Sequence, residues 1–165
     1  MKQFCVMFIA LLFAGSNVLA QDVPAATQDG PVILTISGAL NSNKAATFTL
    51  KQLQSLTSHS FTLTHDWTDT PRTYTGPLLS EVLKKAGASG QSLKLVALND
   101  YFVDVDMAFV DKYQPILAWQ EDGKRMRVRN KGPLWLMTPL HRYPELSDPA
   151  HVSKLIWQLN SIEVR

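Results

Sequence analysis

Leu93-Lys94-Leu95-Val96-Ala97-Leu98-Asn99-Asp100-Tyr101-Phe102-Val103-Asp104-Val105 is the stretch on which the fold turns. Leu93 to Leu98 and Tyr101 to Val105 read as two strands, and Asn99-Asp100 falls where the first gives way to the second. A turn alone accounts for that polar step, because Asn and Asp both tolerate turn backbone. A second reading is chemical. Asp100 would present a carboxylate to a heterocycle bearing an N–H beside an amino group, with Tyr101 packed beside the ring.

Outward from this pair, the apolar period switches often. Val32 to Ser37 alternates as a strand and stops at Gly38. Thr49-Leu50-Lys51-Gln52 has the form of a capping box, and Leu50, Leu53 and Leu56 give a short helix one apolar stripe. Ser60 to His65 alternates again. Gly76-Pro77 is expected to open a helix with Leu79, Val82 and Leu83 inward, closed by Gly87. Ile116 to Trp119 is expected to pair with Met126 to Val128 across Glu121-Asp122-Gly123-Lys124, whose Asp-Gly step is a hairpin signal. Leu134 to Thr138 and Ile162 to Val164 complete the strands, and Pro139 to Ala150 reads as a long irregular loop. Many short strands with two or three short helices predict an α+β domain with a mixed sheet.

Met1 to Ala20 reads as a secretory signal peptide. Lys2 supplies its positive charge, Phe4 to Phe13 its apolar run, and Val18-Leu19-Ala20 its cleavage site. The run is too short to span a membrane, which needs ~20 apolar residues. Cys5, the single cysteine, lies at the start of the apolar run, far ahead of the cleavage point, and so cannot be lipidated there. The expectation is a 1–20 signal peptide, a 21–30 flexible polar leader and one domain over 31–165, secreted or periplasmic, with no membrane insertion after cleavage. Of 16 basic and 14 acidic side chains, only Lys2 falls in the removed segment, so the mature chain is almost neutral. That balance gives no reason to expect nucleic acid or an anionic membrane as partner. Without Cys5 no disulfide can form, and stability must come from an ordinary core.

Two further constellations carry chemistry. In Lys124-Arg125-Met126-Arg127-Val128-Arg129-Asn130-Lys131-Gly132-Pro133, period two would put Arg125, Arg127, Arg129 and Lys131 on one side of an extended segment. A solvated edge strand explains Arg125 and Arg127. Arg129 and Lys131 stand just before a forced turn, where a pair of cations could grip carbonyl or phosphate oxygens. Of the four tryptophans, Trp119 and Trp157 read by default as core. Trp67 lies in the polar loop His65-Asp66-Trp67-Thr68-Asp69-Thr70-Pro71, where an indole has little reason to be unless it stacks on something flat. His59, His65, His141 and His151 are too scattered to argue a zinc site, and no nucleophile motif, glycosidase-like carboxylate pair or Gly-rich phosphate loop is present.

From Leu93 to Pro139 the order is strand, Asn-Asp-Tyr, strand, Ile-Leu-Ala-Trp, Gly hairpin and Lys-Gly-Pro-Leu-Trp-Leu-Met-Thr-Pro. It resembles the latter half of the sulfite-oxidase-type molybdopterin-binding domain. Ile156-Trp157-Gln158-Leu159-Asn160-Ser161-Ile162-Glu163-Val164 resembles that domain's last strand, and Thr75-Gly76-Pro77-Leu78-Leu79 its central helix start. The similarity runs from about Ile33 onward and is nearest to the short secreted members of the fold.

The resemblance implies a molybdenum-ligating cysteine within Thr62-Leu63-Thr64-His65, with Thr64 as the matching position. A hydroxyl is a poor substitute for a soft anionic thiolate. Trp135 stands where the enzymes carry an arginine, and their late cofactor-contacting lysine corresponds to Trp157 or is displaced to Lys154. Lys131 matches a retained cofactor-contacting position. The resemblance thus implies a free, unmetallated pterin more than the molybdenum cofactor, held by Trp67, Asn99, Asp100, Tyr101, Arg129, Lys131 and Trp135, with no catalytic or metal-ligating residue. It further implies a receptor that hands its ligand state to the periplasmic domain of a membrane signalling protein, such as a cyclic di-GMP enzyme. Two other readings are a molybdopterin-dependent oxidoreductase or redox subunit, and a structural or assembly domain with a vestigial pocket.

Overall fold

The computed structural model describes residues 29–65 and 67–165. The signal peptide expected over 1–20, Cys5 and most of the leader therefore lie outside the described residues. The elements in chain order are β1 (Val32–Gly38), β2 (Ala46–Thr49), α1 (Leu50–Gln54), β3 (Ser58–Leu63), β4 (Arg72–Pro77), α2 (Leu79–Ala86), β5 (Ser92–Ala97) and β6 (Phe102–Asp106). They continue with α3 (Met107–Tyr113), β7 (Ile116–Ala118), β8 (Gln120–Glu121), β9 (Lys124–Arg125), β10 (Trp135–Met137), α4 (Pro149–Val152) and β11 (Leu159–Val164).

The main sheet has the order β2-β1-β11-β5-β6. β1 and β11 are parallel and every other pair in it is antiparallel, so the sheet is mixed. Its alternation follows the apolar residues: Leu34 and Ile36, Leu93, Leu95 and Ala97, and Val103 and Val105 all turn to one buried face. In β11 the buried residues Leu159, Ile162 and Val164 break period two by one position. A register shift between Leu159 and Ser161 absorbs the extra residue and brings both ends onto the core face.

The short helices cover that face. α1 carries the anticipated reciprocal cap, with the Gln52 amide donating to Thr49 Oγ1 at 3.3 Å and the Thr49 amide to Gln52 Oε1 at 2.8 Å. It buries Leu53. α2 buries Leu79, Val82, Leu83 and Ala86 and ends at Gly87, whose φ of 74° is the left-handed position that glycine takes without a Cβ clash. Gly76 and Pro77 do not open α2, however. They finish β4, paired with His59 and Ser58, because the ladder claims their backbone before the helix starts at Leu79.

A second layer is built from the four-stranded sheet β3-β4-β8-β9 and the ribbon β10-β7. It encloses its own cluster of Phe61, Leu63, Tyr74, Ile116, Ala118, Met126, Trp135 and Met137. The expected pairing changes here. Ile116, Leu117 and Ala118 face Met137, Leu136 and Trp135. The Asp122-Gly123 turn joins only β8 and β9. Beyond β9 the chain leaves the ladder, and Val128–Asn130 is a 3-10 turn with Lys131 at φ 65°. Lys124 and Arg125 are thus an extended, exposed edge, whereas the rest of the cationic stretch is not, and Arg129 and Lys131 do not share one side.

The segment 139–150 also has more order than a loop. Pro144–Ser147 is a 3-10 turn around buried Leu146, and Asp148 caps α4 through the Ala150 amide at 2.9 Å. Among the described residues, no helix is long and apolar enough to cross a membrane.

Candidate functional site

The loop after β3 wraps around His65, which is buried although its neighbours Thr64 and Trp67 are exposed. Thr68 N–H donates to the His65 carbonyl at 2.9 Å, and Trp67 N–H donates to His65 Nδ1 at 3.2 Å. The other ring nitrogen, Nε2, lies 2.8 Å from Tyr74 Oη, and the Tyr74 hydroxyl donates to Glu121 Oε1 at 3.0 Å. One hydroxyl has one proton, so the Nε2–H must donate to Tyr74 while Nδ1 accepts from Trp67. The neutral Nε2–H tautomer of His65 satisfies all three contacts. Burial, reinforced by the bond to Glu121, drives the Tyr74 phenol far above its ordinary range.

Around His65 the rings pack tilted or edge to face. Trp135 stands 5.1 Å from His65 and 5.3 Å from Tyr74, and Trp67 stands 5.4 Å from His65. Trp67 meets Trp157 at 5.3 Å and 79°. Trp135 is only 1% exposed, and its indole N–H donates to the Leu155 carbonyl at 2.9 Å. The Lys131 ammonium lies over this array, 4.5 Å from the Trp135 centroid and 5.7 Å from both Trp67 and Trp157. Desolvation there lowers the Lys131 pKa, partly offset by Glu121. Lys131 keeps this position through its left-handed turn and through Gly132, where a Cβ would collide with the Met126 carbonyl.

Beside the tryptophans opens a cavity of about 350 Å³. Trp67, Tyr101 and Trp157 supply its aromatic lining, Ala97, Val152, Leu155 and Ile156 its aliphatic lining, and Asn99 and Ser153 its side-chain polar groups. Tyr101 N–H donates to Asn99 Oδ1 at 3.3 Å, which leaves the Asn99 amide nitrogen free to donate. Ser153 Oγ donates to the Ala150 carbonyl at 3.0 Å and keeps lone pairs to accept. The cavity can thus take a flat ring with one acceptor edge and one donor edge.

Of the residues singled out in the sequence, Trp67, Asn99 and Tyr101 meet at this cavity, and Lys131 lies against two of the tryptophans that line it. Asp100 is not among its lining residues. It takes φ 63° in the β5–β6 turn, its N–H donating to the Ala97 carbonyl at 3.1 Å, which is the turn reading of Asn99-Asp100. Arg129 lines a separate open groove with Arg125 and Arg127. Trp135 is a buried support for the other rings and offers no free face to a ligand. Conversely, Trp157, read as core, lines the cavity. Its signal was weak because it precedes β11 at a point where no periodicity assigns it a face. Val152, Leu155 and Ile156 were also missed, since they come from the turn-rich segment that returns from α4.

Among the described residues, no three His, Cys, Asp or Glu side chains are grouped to hold a metal ion. The polar lining of the cavity is amide and hydroxyl, which suits a heterocycle and does not suit a soft metal centre.

No family model and no curated protein matches the chain. Its fold does match a solved structure, the sulfane dehydrogenase SoxCD from Paracoccus pantotrophus, with a TM-score of 0.57 and 17% identity. The likeness covers 79% of this chain and 37% of that one, so the chain spans well under half the length of its structural neighbour. At this identity the match defines the fold alone. The fold shared with that protein is α+β with a mixed sheet, the class expected from the sequence.

Proposed function

We propose that this chain is a non-catalytic periplasmic pterin-binding protein that reports its ligand to a membrane signalling partner. The observation that carries the ligand half is the cavity lined by Trp67, Tyr101 and Trp157, with Asn99 and Ser153 as its side-chain polar groups. Its volume of about 350 Å³ lies at the small end of ligand sites, suited to a bicyclic ring and little more. A pterin places an amino group and ring N–H on one edge, for which Ser153 Oγ is an acceptor. Its carbonyl and ring nitrogen on the other side take the Asn99 amide as donor. Indole and phenol faces supply stacking, worth about 1 kcal/mol per partner beyond area burial.

The same site fits the metallated cofactor poorly. Thr64, at the position matched to the ligating cysteine, carries a hydroxyl on an exposed loop residue. A free ring is the better match to these side chains. The signalling partner is supported by the resemblance to short secreted members of the fold. The likeness to a sulfane dehydrogenase favours a second reading, a redox subunit that carries a molybdopterin.

Titration of the purified protein with a reduced and an oxidised pterin, read by ligand fluorescence, separates these. The expected result is saturable quenching by one of the two and no stoichiometric molybdenum on elemental analysis. One molybdenum per chain supports the redox subunit, and no binding of either pterin refutes the ligand assignment.

A further inference from the structure

The segment 124–131 holds five cations, Lys124, Arg125, Arg127, Arg129 and Lys131, and no acid. Lys131 is taken up by the tryptophans. The other four line an open groove of about 1090 Å³, between their own loop and the start of β1. Concentrating four like charges on one concave surface is unfavourable unless something anionic balances them. None of the four forms an ion pair among the described residues, where the cations in ion pairs are Lys51, Arg72, Lys112 and Arg165, and only Lys124 feels a neighbouring acid, Asp122, at longer range. The acid nearest in sequence, Asp122, is occupied by Arg72 at 2.7 Å and by the Thr73 amide at 2.9 Å.

The loop is also built to hold its shape. Met126 is buried and its N–H donates to the Trp119 carbonyl at 2.9 Å. The Arg127 carbonyl accepts from both Asn130 and Gly132, at 2.7 and 2.9 Å, and Gln158 Nε2 donates to the Val128 carbonyl at 2.8 Å. Between the cations stand exposed aliphatic side chains, Val32 at 45%, Leu98 at 46% and Val128 at 51%. A phosphate-sized anion would leave these aliphatics in water, and nucleic acid would meet no exposed aromatic ring for stacking along the groove. Cations interleaved with aliphatics complement a polypeptide that alternates the same way. The β1–β11 ladder begins only at Thr35, so the residues of β1 before it, Val32 to Leu34, border the groove ahead of that pairing.

We propose that this groove is a docking surface for an acidic protein segment in extended form, in which carboxylates alternate with aliphatic side chains. The assignment does not depend on what the cavity holds. Fluorescence anisotropy of a labelled peptide alternating Glu and Val, titrated with the intact chain, tests it against the matching Gln and Val peptide. The Glu peptide is expected to bind, and added salt to weaken it. The Arg127→Gln, Arg129→Gln double variant should lose about tenfold in affinity, the equivalent of one lost charge-assisted contact. Lys84→Gln with Lys85→Gln, which removes two exposed cations from α2, should leave binding unchanged. Circular dichroism confirms that both variants are folded. Equal binding of the Gln peptide, or equal loss in the α2 variant, overturns the proposal. So does arginine-dependent binding to phosphatidylglycerol vesicles without peptide binding, which assigns the groove to a membrane surface. An arginine-dependent dimer in sedimentation velocity, again without peptide binding, assigns it to a second copy.

Discussion

Trp135 and Trp157 face one another across an isolated antiparallel bridge, their rings 6.1 Å apart and nearly perpendicular at 86°. The two indoles divide the work. Trp135 is sealed in the second core with its N–H bonded to Leu155, while Trp157 turns toward the cavity. The backbone bridge sets the lining residue against the buried one.

That division predicts opposite outcomes for two truncations. Trp157→Ala should weaken pterin binding by about 1–3 kcal/mol, the usual loss for one stacking partner of a heteroaromatic ring. Its unfolding midpoint should fall less than that of Trp135→Ala, because Trp157 is only half-buried against the second core. Trp135→Ala should instead destabilise the fold by about 3–5 kcal/mol, as for other buried aromatics cut to alanine. Urea denaturation and pterin titration on both variants check this, and a Trp157→Ala protein with wild-type affinity would remove Trp157 from the site.

Tyr74 predicts the alkaline behaviour. Its phenol is held above the ordinary value of 10.0 by burial and by its bond to Glu121. The folded state therefore keeps this proton after an unfolded chain would release it. The associated stability is fully present below pH 10.0 and is lost as pH rises from there toward the folded-state value. In an ultraviolet titration, the tyrosinate signal of Tyr74 should appear only together with unfolding. Tyr74→Phe should remove that late step, and a fully reversible titration of Tyr74 in the folded protein would contradict its buried hydrogen bond to Glu121.

Thr49 offers a test of local chemistry alone. Its hydroxyl satisfies an early amide of α1, and Gln52 returns the bond. Thr49→Ala should cost about 1 kcal/mol in urea unfolding. Pterin affinity should not change, because α1 contributes no residue to the cavity.

Where a structural choice rests on neighbours in sequence, the residues declare it. The Thr49 to Gln52 cap, the end of α2 at Gly87, the alternation from Val32 to Ser37 and the Asp122-Gly123 turn are all of this kind. The pairing of β7 was not legible, because Met126 to Val128 and Trp135 to Met137 are both short apolar partners. Only the tertiary packing of Trp135 beneath His65 and Tyr74 decides between them. α3 was missed because Asp106 at its start makes no side-chain cap and its apolar residues continue those of β6. At the site, Trp67, Asn99 and Tyr101 stood out as polar-loop or turn residues. Asp100 drew attention for the same reason, yet its backbone role in the turn removes it from the cavity. Trp157 came from a segment whose direction is set by the return from α4, a long-range matter that no local pattern carries.

β11 lies between β1 and β5, with the rest of the five-stranded sheet outside them. No strand made before residue 159 pairs with both β1 and β5, and Trp157 reaches its place only as β11 is laid down. Assembly is consequently a late event in synthesis, dominated by contacts distant along the chain, and such topologies form slowly. A nascent product stopped short of Leu159 would present two raw strand edges and an incomplete recess, making it a substrate for chaperones or proteases.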